Sequence, residues 1–297
     1  MKGLNALLAV LSTPLAAPVI AATRLRKGAT GSVRGAASFV AETLRTARAC
    51  GAGGLLVMRA DSAFYASEVI AACRALGARF SVTARMNASI KRAIATIDED
   101  AWTAIKYPKA VWDEEGQCWV SDAEIAEVEY TAFTSRPKKQ QVTARLIVRR
   151  VKRLNPDAQL QGRGELFSVY RYHCAFTDSP LTLVDAEKDH RRHAVVEQVI
   201  ADVMSGPLAH MPSGDFQANA AWLALAAITH NLMRATGTLA SAFHAKATTS
   251  TLRAQLICVP ARIARGARRL TLRMPRNWPW QEAWLHMFAV LQAPPHR

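Results

Sequence analysis

The sequence predicts an α/β fold that is interrupted by an antiparallel β insertion and completed by a helical C-terminal part. Three observations carry that expectation. Leu55 to Ala84 reads as strand, helix and strand with short connections. Residues 106–151 break into short strand-like segments separated by turn residues. From Asp185 onward, apolar positions recur at helical spacing. With 297 residues the chain can bury a core without disulfides or structural metals.

Taken in order, the opening stretch combines Lys2, the apolar run Leu7 to Leu11 and the Ala-rich Pro18 to Ala22, which imitates a secretory signal peptide. Pro14 and Pro18 interrupt it, and Val19 to Leu25 has the β-branched, small-residue content of an internal strand, so the stretch is expected to belong to the fold. Ala37, Val40, Ala41, Leu44 and Ala47 predict an amphipathic helix within Val33 to Cys50, closed by a turn at Gly51 to Gly54. Leu55 to Met58 is a buried-type strand running into Arg59-Ala60-Asp61-Ser62. A helix over Ala66 to Leu76 stops at Gly77, and Arg79 to Ala84 is the next strand. That unit places Asp61 near the C-terminal end of its strand, where open α/β sheets put their chemistry.

The insertion is expected from Val111-Trp112, Trp119-Val120, Ala126 to Phe133 and Val142 to Arg150, separated by Asp113-Glu114-Glu115-Gly116 and Ser135-Arg136-Pro137. Asn155 to Glu165 reads as a loop leading into a strand over Phe167 to Phe176. Asp185 to Met204 and Ala218 to Ala235 are expected helices, the second so continuously apolar that it should be packed on several sides. Leu252 to Arg273 mixes apolar residues with Arg253, Arg262, Arg265, Arg268, Arg269 and Arg273, and leads to Trp278, Trp280 and Trp284. That strip suits a phosphate backbone or is a solvated basic face.

Lysine and arginine total 38 against 23 acidic residues, a formal charge of +15, which favours polyanionic partners. Five cysteines without a CxxC pair argue against a disulfide framework and a thiolate zinc site, and suit a reducing cytoplasm. No stretch beyond the N-terminal one is apolar for long enough to span a bilayer. P-loop, GxGxxG and GxSxG motifs are absent, which leaves carboxylate and histidine chemistry. Two-metal phosphoryl transfer needs hard oxygen ligands converging from separate elements. Asp61 and Glu197 are of the right type, although Asp61 also reads as an N-cap and Glu197 as a solvent-facing helix carboxylate. His190, His193 and Glu197 fall at i, i+3 and i+7 of the expected helix, the spacing a zinc hydrolase would use.

Gly3 to Ala9, Arg59-Ala60-Asp61-Ser62-Ala63-Phe64-Tyr65, Tyr170-Arg171-Tyr172-His173 leading to Phe176-Thr177-Asp178, and Leu208 to Trp222 with its Pro212 to Trp222 run together give the chain a wider likeness. It resembles the DDE-type insertion-sequence transposases, which have a ribonuclease-H-like catalytic core. The resemblance implies a first part of that core over 1–104, a β insertion over 105–165, a second part over 166–240 and a basic C-terminal segment over 241–297. It makes Asp61 the second carboxylate of the triad and Glu197 the third, both ligands of Mg²⁺ or Mn²⁺. The family's first aspartate lies upstream of the segment matching Gly3 to Ala9, and here no acidic residue precedes Glu42. The expectation is therefore an N-terminally truncated, inactive transposase, or a non-catalytic DNA-binding remnant of one. His190, His193 and Met204 stand where relatives often carry Tyr, Arg and Lys around the glutamate. The implied partner is double-stranded DNA, as transposon ends and target, bound by a cytoplasmic, nucleoid-associated protein, as a homodimer in the DNA complex. Its contacts are expected from Arg59, Arg85, Arg191, Arg192, His193, Arg262, Arg265, Arg268 and Arg269.

Overall fold

Where apolar residues alternate, the chain forms strands, and where both alternating sets are apolar the strand is covered on both faces. The computed structural model describes residues 3–108, 110–152, 170–266 and 268–293. The chain divides into two units, Gly31–His193 and a second made of Met1–Thr30 with Ala194–Arg297.

The N-terminal stretch is an antiparallel hairpin of β1 (Leu4–Leu11) and β2 (Val19–Lys27), paired from Leu4↔Lys27 to Leu11↔Val19 with a bulge at Ala9/Val10. The apolar residues that imitate a signal peptide are strand residues. Leu7 and Ile20 are buried, and Leu8, Val10 and Leu25 pack with Ile20 in one cluster.

In Gly31–His193, α1 (Ala36–Ala49), β3 (Val57–Ala60), α2 (Ser67–Ala75) and β4 (Arg79–Ala84) follow the expected order, and α3 (Ala88–Ile94), which was not expected, comes next. The loop expected over Asn155 to Glu165 and the first residues of the strand expected from Phe167 lie outside the described residues. β5 (Thr103–Ala104) precedes the expected insertion, whose segments give a small ribbon of β6 (Val111–Asp113) and β7 (Cys118–Val120), then β8 (Ala123–Ala132) and β9 (Val142–Lys152). β5, β8 and β9 join β3, β4 and β10 (Tyr170–Thr177) in a six-stranded sheet in the order β3-β4-β10-β9-β8-β5. β8 and β9 thus belong to the same sheet as β3 and β4. Only the β3–β4 pair is parallel. A mixed sheet of this kind with flanking helices is compatible with a ribonuclease-H-like core.

Both faces of the sheet are covered. Leu146, Val148 and Phe176 join Ile70, Phe80, Val82 and Ile90 in one core, while the intervening Ile147 and Ala175 pack with Ala186 of α4 (Leu183–Arg191). Each large apolar side chain buried this way contributes roughly 1.5–3 kcal/mol.

The single helix expected over Asp185 to Met204 is in fact two. α4 ends at Arg191, a 3₁₀ turn covers Arg192–Ala194, and α5 (Val195–Met204) begins the second unit's long C-terminal stretch. His193 Nδ1 donates to the His190 carbonyl at 2.6 Å, a side-chain bond that competes with the helical ladder where it breaks.

In the second unit, α6 (Phe216–Ala240) packs on the hairpin. The Asn231 amide accepts from the Ile20 N–H and donates to the Ile20 carbonyl, both at 2.8 Å, which satisfies a backbone edge. Ile20, Val199, Val203, Leu208, Leu223 and Ala226 form the core there. α6 was expected to be packed on several sides, yet Leu225, Ile228 and Leu232 are exposed along one face. Beyond α7 (Thr249–Leu252), a two-stranded ribbon of β11 (Arg262–Gly266) and β12 (Arg269–Arg273) precedes α8 (Gln281–Gln292). Among the described residues no helix is long and apolar enough to cross a membrane.

Candidate active site and nucleic-acid interface

β3 is the edge strand of the sheet, and its parallel register with β4 sets Arg59 opposite Ser81 and Ala60 opposite Val82. Asp61 follows directly, still in extended conformation, and caps the 3₁₀ turn Ser62–Phe64. Its Oδ1 accepts from the Ala63 N–H at 2.8 Å. Asp61 is therefore an N-cap, and the cap uses one of its two oxygens. The side chain is exposed and has no ion pair among the described residues.

Two residues before it, Arg59 is 16% exposed, donates to the Asp189 carbonyl at 2.9 Å and pairs with the Asp189 carboxylate at 3.2 Å. Burial lowers its pKa, Asp189 opposes that shift and nearby Arg192 reinforces it. Arg59 thus ties the end of α4 to β3. The expected DNA contact at this position is an interior arginine with an acidic partner.

His190 lies across β4. Its Nδ1 shares a hydrogen bond with Ser81 Oγ at 2.9 Å and its Nε2 one with Thr83 Oγ1 at 3.1 Å. Burial pulls its pKa down to about 3, helped by His193, Arg149 and Arg59. A neutral imidazole with both nitrogens engaged has no lone pair left for zinc. Because the helix breaks at Arg192, His190, His193 and Glu197 do not share one helical face.

Glu197 lies in the other unit, in the first turn of α5, exposed and without an ion pair among the described residues. Its neighbours on the chain differ. Asp202 accepts from the Thr249 N–H at 3.0 Å and the Thr249 hydroxyl at 2.7 Å, and pairs with buried Arg234 at 3.2 Å. Glu187 is buried between Arg149 and Arg191. Asp178 accepts from the Phe80 N–H at 2.8 Å and from Arg74 at 2.9 Å. Those three carboxylates serve the fold, whereas Asp61 and Glu197 keep oxygens for another partner. Among the described residues no group of three or more His, Cys, Asp or Glu side chains is placed to hold a metal ion.

The expected basic contacts divide similarly. Arg85, just past β4, and Arg192 are exposed, Arg191 is paired with Glu187, and His193 is half-buried. Arg262, Arg265 and Arg269 are exposed on the β11–β12 ribbon, with Arg268 at its turn. Arg273 was read in the basic strip but not among the individual contacts. Its even spacing from Arg269 in a strand is the signal that puts both on one face.

The Pro212 to Trp222 motif is architecture. Asp215 Oδ1 caps α6 through the Ala218 N–H at 2.7 Å, Asn219 exchanges hydrogen bonds with the Ser213 backbone, and Trp222 Nε1 donates to the Pro207 carbonyl at 2.7 Å.

A family model described as transposase DDE domain group 1 matches residues 16–296. No curated protein matches the chain.

Proposed function

Because the chain belongs to the transposase DDE domain group 1 family, we propose that it is a DNA transposase polypeptide whose metal-binding carboxylates are Asp61 and Glu197. The family implies DNA as partner, and DDE transposase domains use divalent metals such as Mg²⁺. The observation that carries the residue assignment is the state of Asp61: it stands at the end of a parallel strand with one oxygen capping a turn and, among the described residues, no ion pair. Glu197 supports it as an exposed carboxylate in a helical first turn.

Both side chains are hard oxygen donors and fit Mg²⁺ or Mn²⁺ in type. Such an ion supplies Lewis-acid polarisation of a phosphodiester and lowers the pKa of an attacking water. Asp61 and Glu197 are each proposed as a ligand to such an ion. Arg85 and Arg192 would neutralise phosphate charge, and the ribbon would engage duplex DNA. Removing either carboxylate is expected to misplace the ion and to lower cleavage and joining of DNA ends by orders of magnitude.

The test is cleavage of element-end DNA in Mg²⁺ by the purified chain and by Asp61→Asn. Robust cleavage that survives Asp61→Asn would overturn the carboxylate assignment. A second reading, a DNA-binding remnant without catalysis, is favoured by the exposed arginine ribbon, and salt-dependent duplex binding without any cleavage identifies it.

A further inference from the structure

We infer that the β11–β12 ribbon is a two-faced phosphate clamp, in which Arg262, Arg269 and Arg273 form the DNA-contacting face and Arg265 points to the other side. The inference rests on the reading that this chain binds DNA, and it concerns which face of the ribbon does so.

Residues directly opposite in an antiparallel pair share a face, and the pairs here are Arg262↔Arg273, Ile263↔Leu272, Ala264↔Thr271, Arg265↔Leu270 and Gly266↔Arg269. One face therefore carries Arg262, Arg269 and Arg273 among the small residues Ala264, Gly266 and Thr271. The other carries Ile263, Leu270 and Leu272 with Arg265. At about 3.4 Å per residue, Arg269 and Arg273 lie roughly 14 Å apart along the ribbon, and Arg262 sits beside Arg273. The small residues between them leave the backbone open to close approach.

A second observation points to a polyanion. Like charges directly opposite each other destabilise a strand pair, and a lone two-stranded ribbon is at best marginally stable. Yet Arg262 faces Arg273, both strands are exposed along almost their whole length, and residues 216–281 contain no Asp or Glu to act as counter-ion. What relieves this repulsion must come from outside the segment, and a phosphate backbone supplies it at regular spacing. The major groove of duplex DNA admits a two-stranded ribbon.

The test measures binding of the full-length chain to a 30-base-pair duplex between 50 and 200 mM salt. Each arginine withdrawn from a phosphate lowers the slope of log K against log salt by about 0.9, so Arg262→Ala/Arg269→Ala/Arg273→Ala should lower it by about 2.7, with affinity at 0.1 M falling on the order of a hundredfold or more. The corresponding triple lysine variant keeps the charges and should retain most of the slope, which separates a weakened phosphate interface from a misfolded ribbon. Arg45→Ala/Lys91→Ala/Arg92→Ala removes the same net charge from exposed positions in the other unit and should change the slope far less. If wild-type chain shows no salt-dependent binding, the DNA-binding reading itself fails. If it binds but the ribbon and control variants have equal slopes, only the clamp is refuted. An Arg265→Ala effect as large as that of Arg269→Ala would refute the assignment of faces.

Discussion

Acidification should destabilise this protein through His190, and the size of the effect can be worked out from its surroundings. The ring is buried on β4, hydrogen-bonded at both nitrogens, and its pKa is lowered from 6.5 to about 3. Above about pH 6.5 the ring is neutral in both folded and unfolded chains, so it imposes no pH-dependent cost. As pH falls below that, the unfolded chain takes up a proton that the folded one refuses. Stability is therefore lost progressively from about pH 6.5 down to about pH 3. At pH 5 the loss is about 1.5 pH units at 1.36 kcal/mol each, or about 2 kcal/mol. Burial also lowers the pKa values of His173 and His230, which adds losses of the same sign, so the informative quantity is a difference between variants. Urea unfolding of wild type and His190→Gln at pH 7 and pH 5 isolates it, because glutamine occupies the site but does not titrate. The wild type should lose about 2 kcal/mol more than the variant over that interval, at unchanged m-value. Equal losses would show that the folded state tolerates a charged ring between β4 and α4, which would refute the reasoning from burial.

Other perturbations follow from specific contacts. Asp61→Asn should leave thermal stability within about 0.5 kcal/mol of wild type, because the asparagine carbonyl still accepts from Ala63, while weakening Mn²⁺ binding in calorimetry. Gly237→Ala should destabilise by about 1–3 kcal/mol in chemical unfolding, although alanine is the better helix former by about 1 kcal/mol. The reason is that the new Cβ would lie 2.5 Å from the His244 carbonyl oxygen and 3.0 Å from Leu252. Asp202→Ala should cost about 3–5 kcal/mol in the same unfolding assay, because it leaves buried Arg234 without its acidic partner. Asp202→Asn would recover only the part carried by the bonds to Thr249.

Much of the fold is legible because period and punctuation agree. Arg79 to Ala84 is a strand over the expected span, and the helices beside it stop where Gly51 and Gly77 adopt positive φ. What misleads is context that lies far away in sequence. Leu7 to Leu11 resembles the apolar core of a signal peptide until Val19 to Lys27 is seen to pair with it. The repeat across Asp185 to Met204 runs unbroken through a helix end because the interruption is made by one histidine ring reaching back to a carbonyl. β8 and β9 read as an insertion because their turns are local, while their membership of the main sheet depends on pairing with β10, across residues 153–169.

The candidate site illustrates the same division. Sequence likeness selects a set of polar residues without distinguishing those that hold the fold from those that meet a substrate. Asp178 and Asn219 belong to the shared motifs, and each spends its side-chain oxygens on backbone N–H groups or arginine. Arg59 belongs as well, and is spent on Asp189. A charged group that the fold has already paired cannot neutralise a ligand without breaking that pair, at a cost of several kcal/mol when the pair is buried. By this criterion Asp61 and Glu197 remain available for a cation, and Arg262, Arg269 and Arg273 for an anion. That allocation follows from which partners the chain leaves to each side chain, and it is the reason the carboxylates and the ribbon, rather than the motif residues at large, are the positions where mutation should separate function from folding.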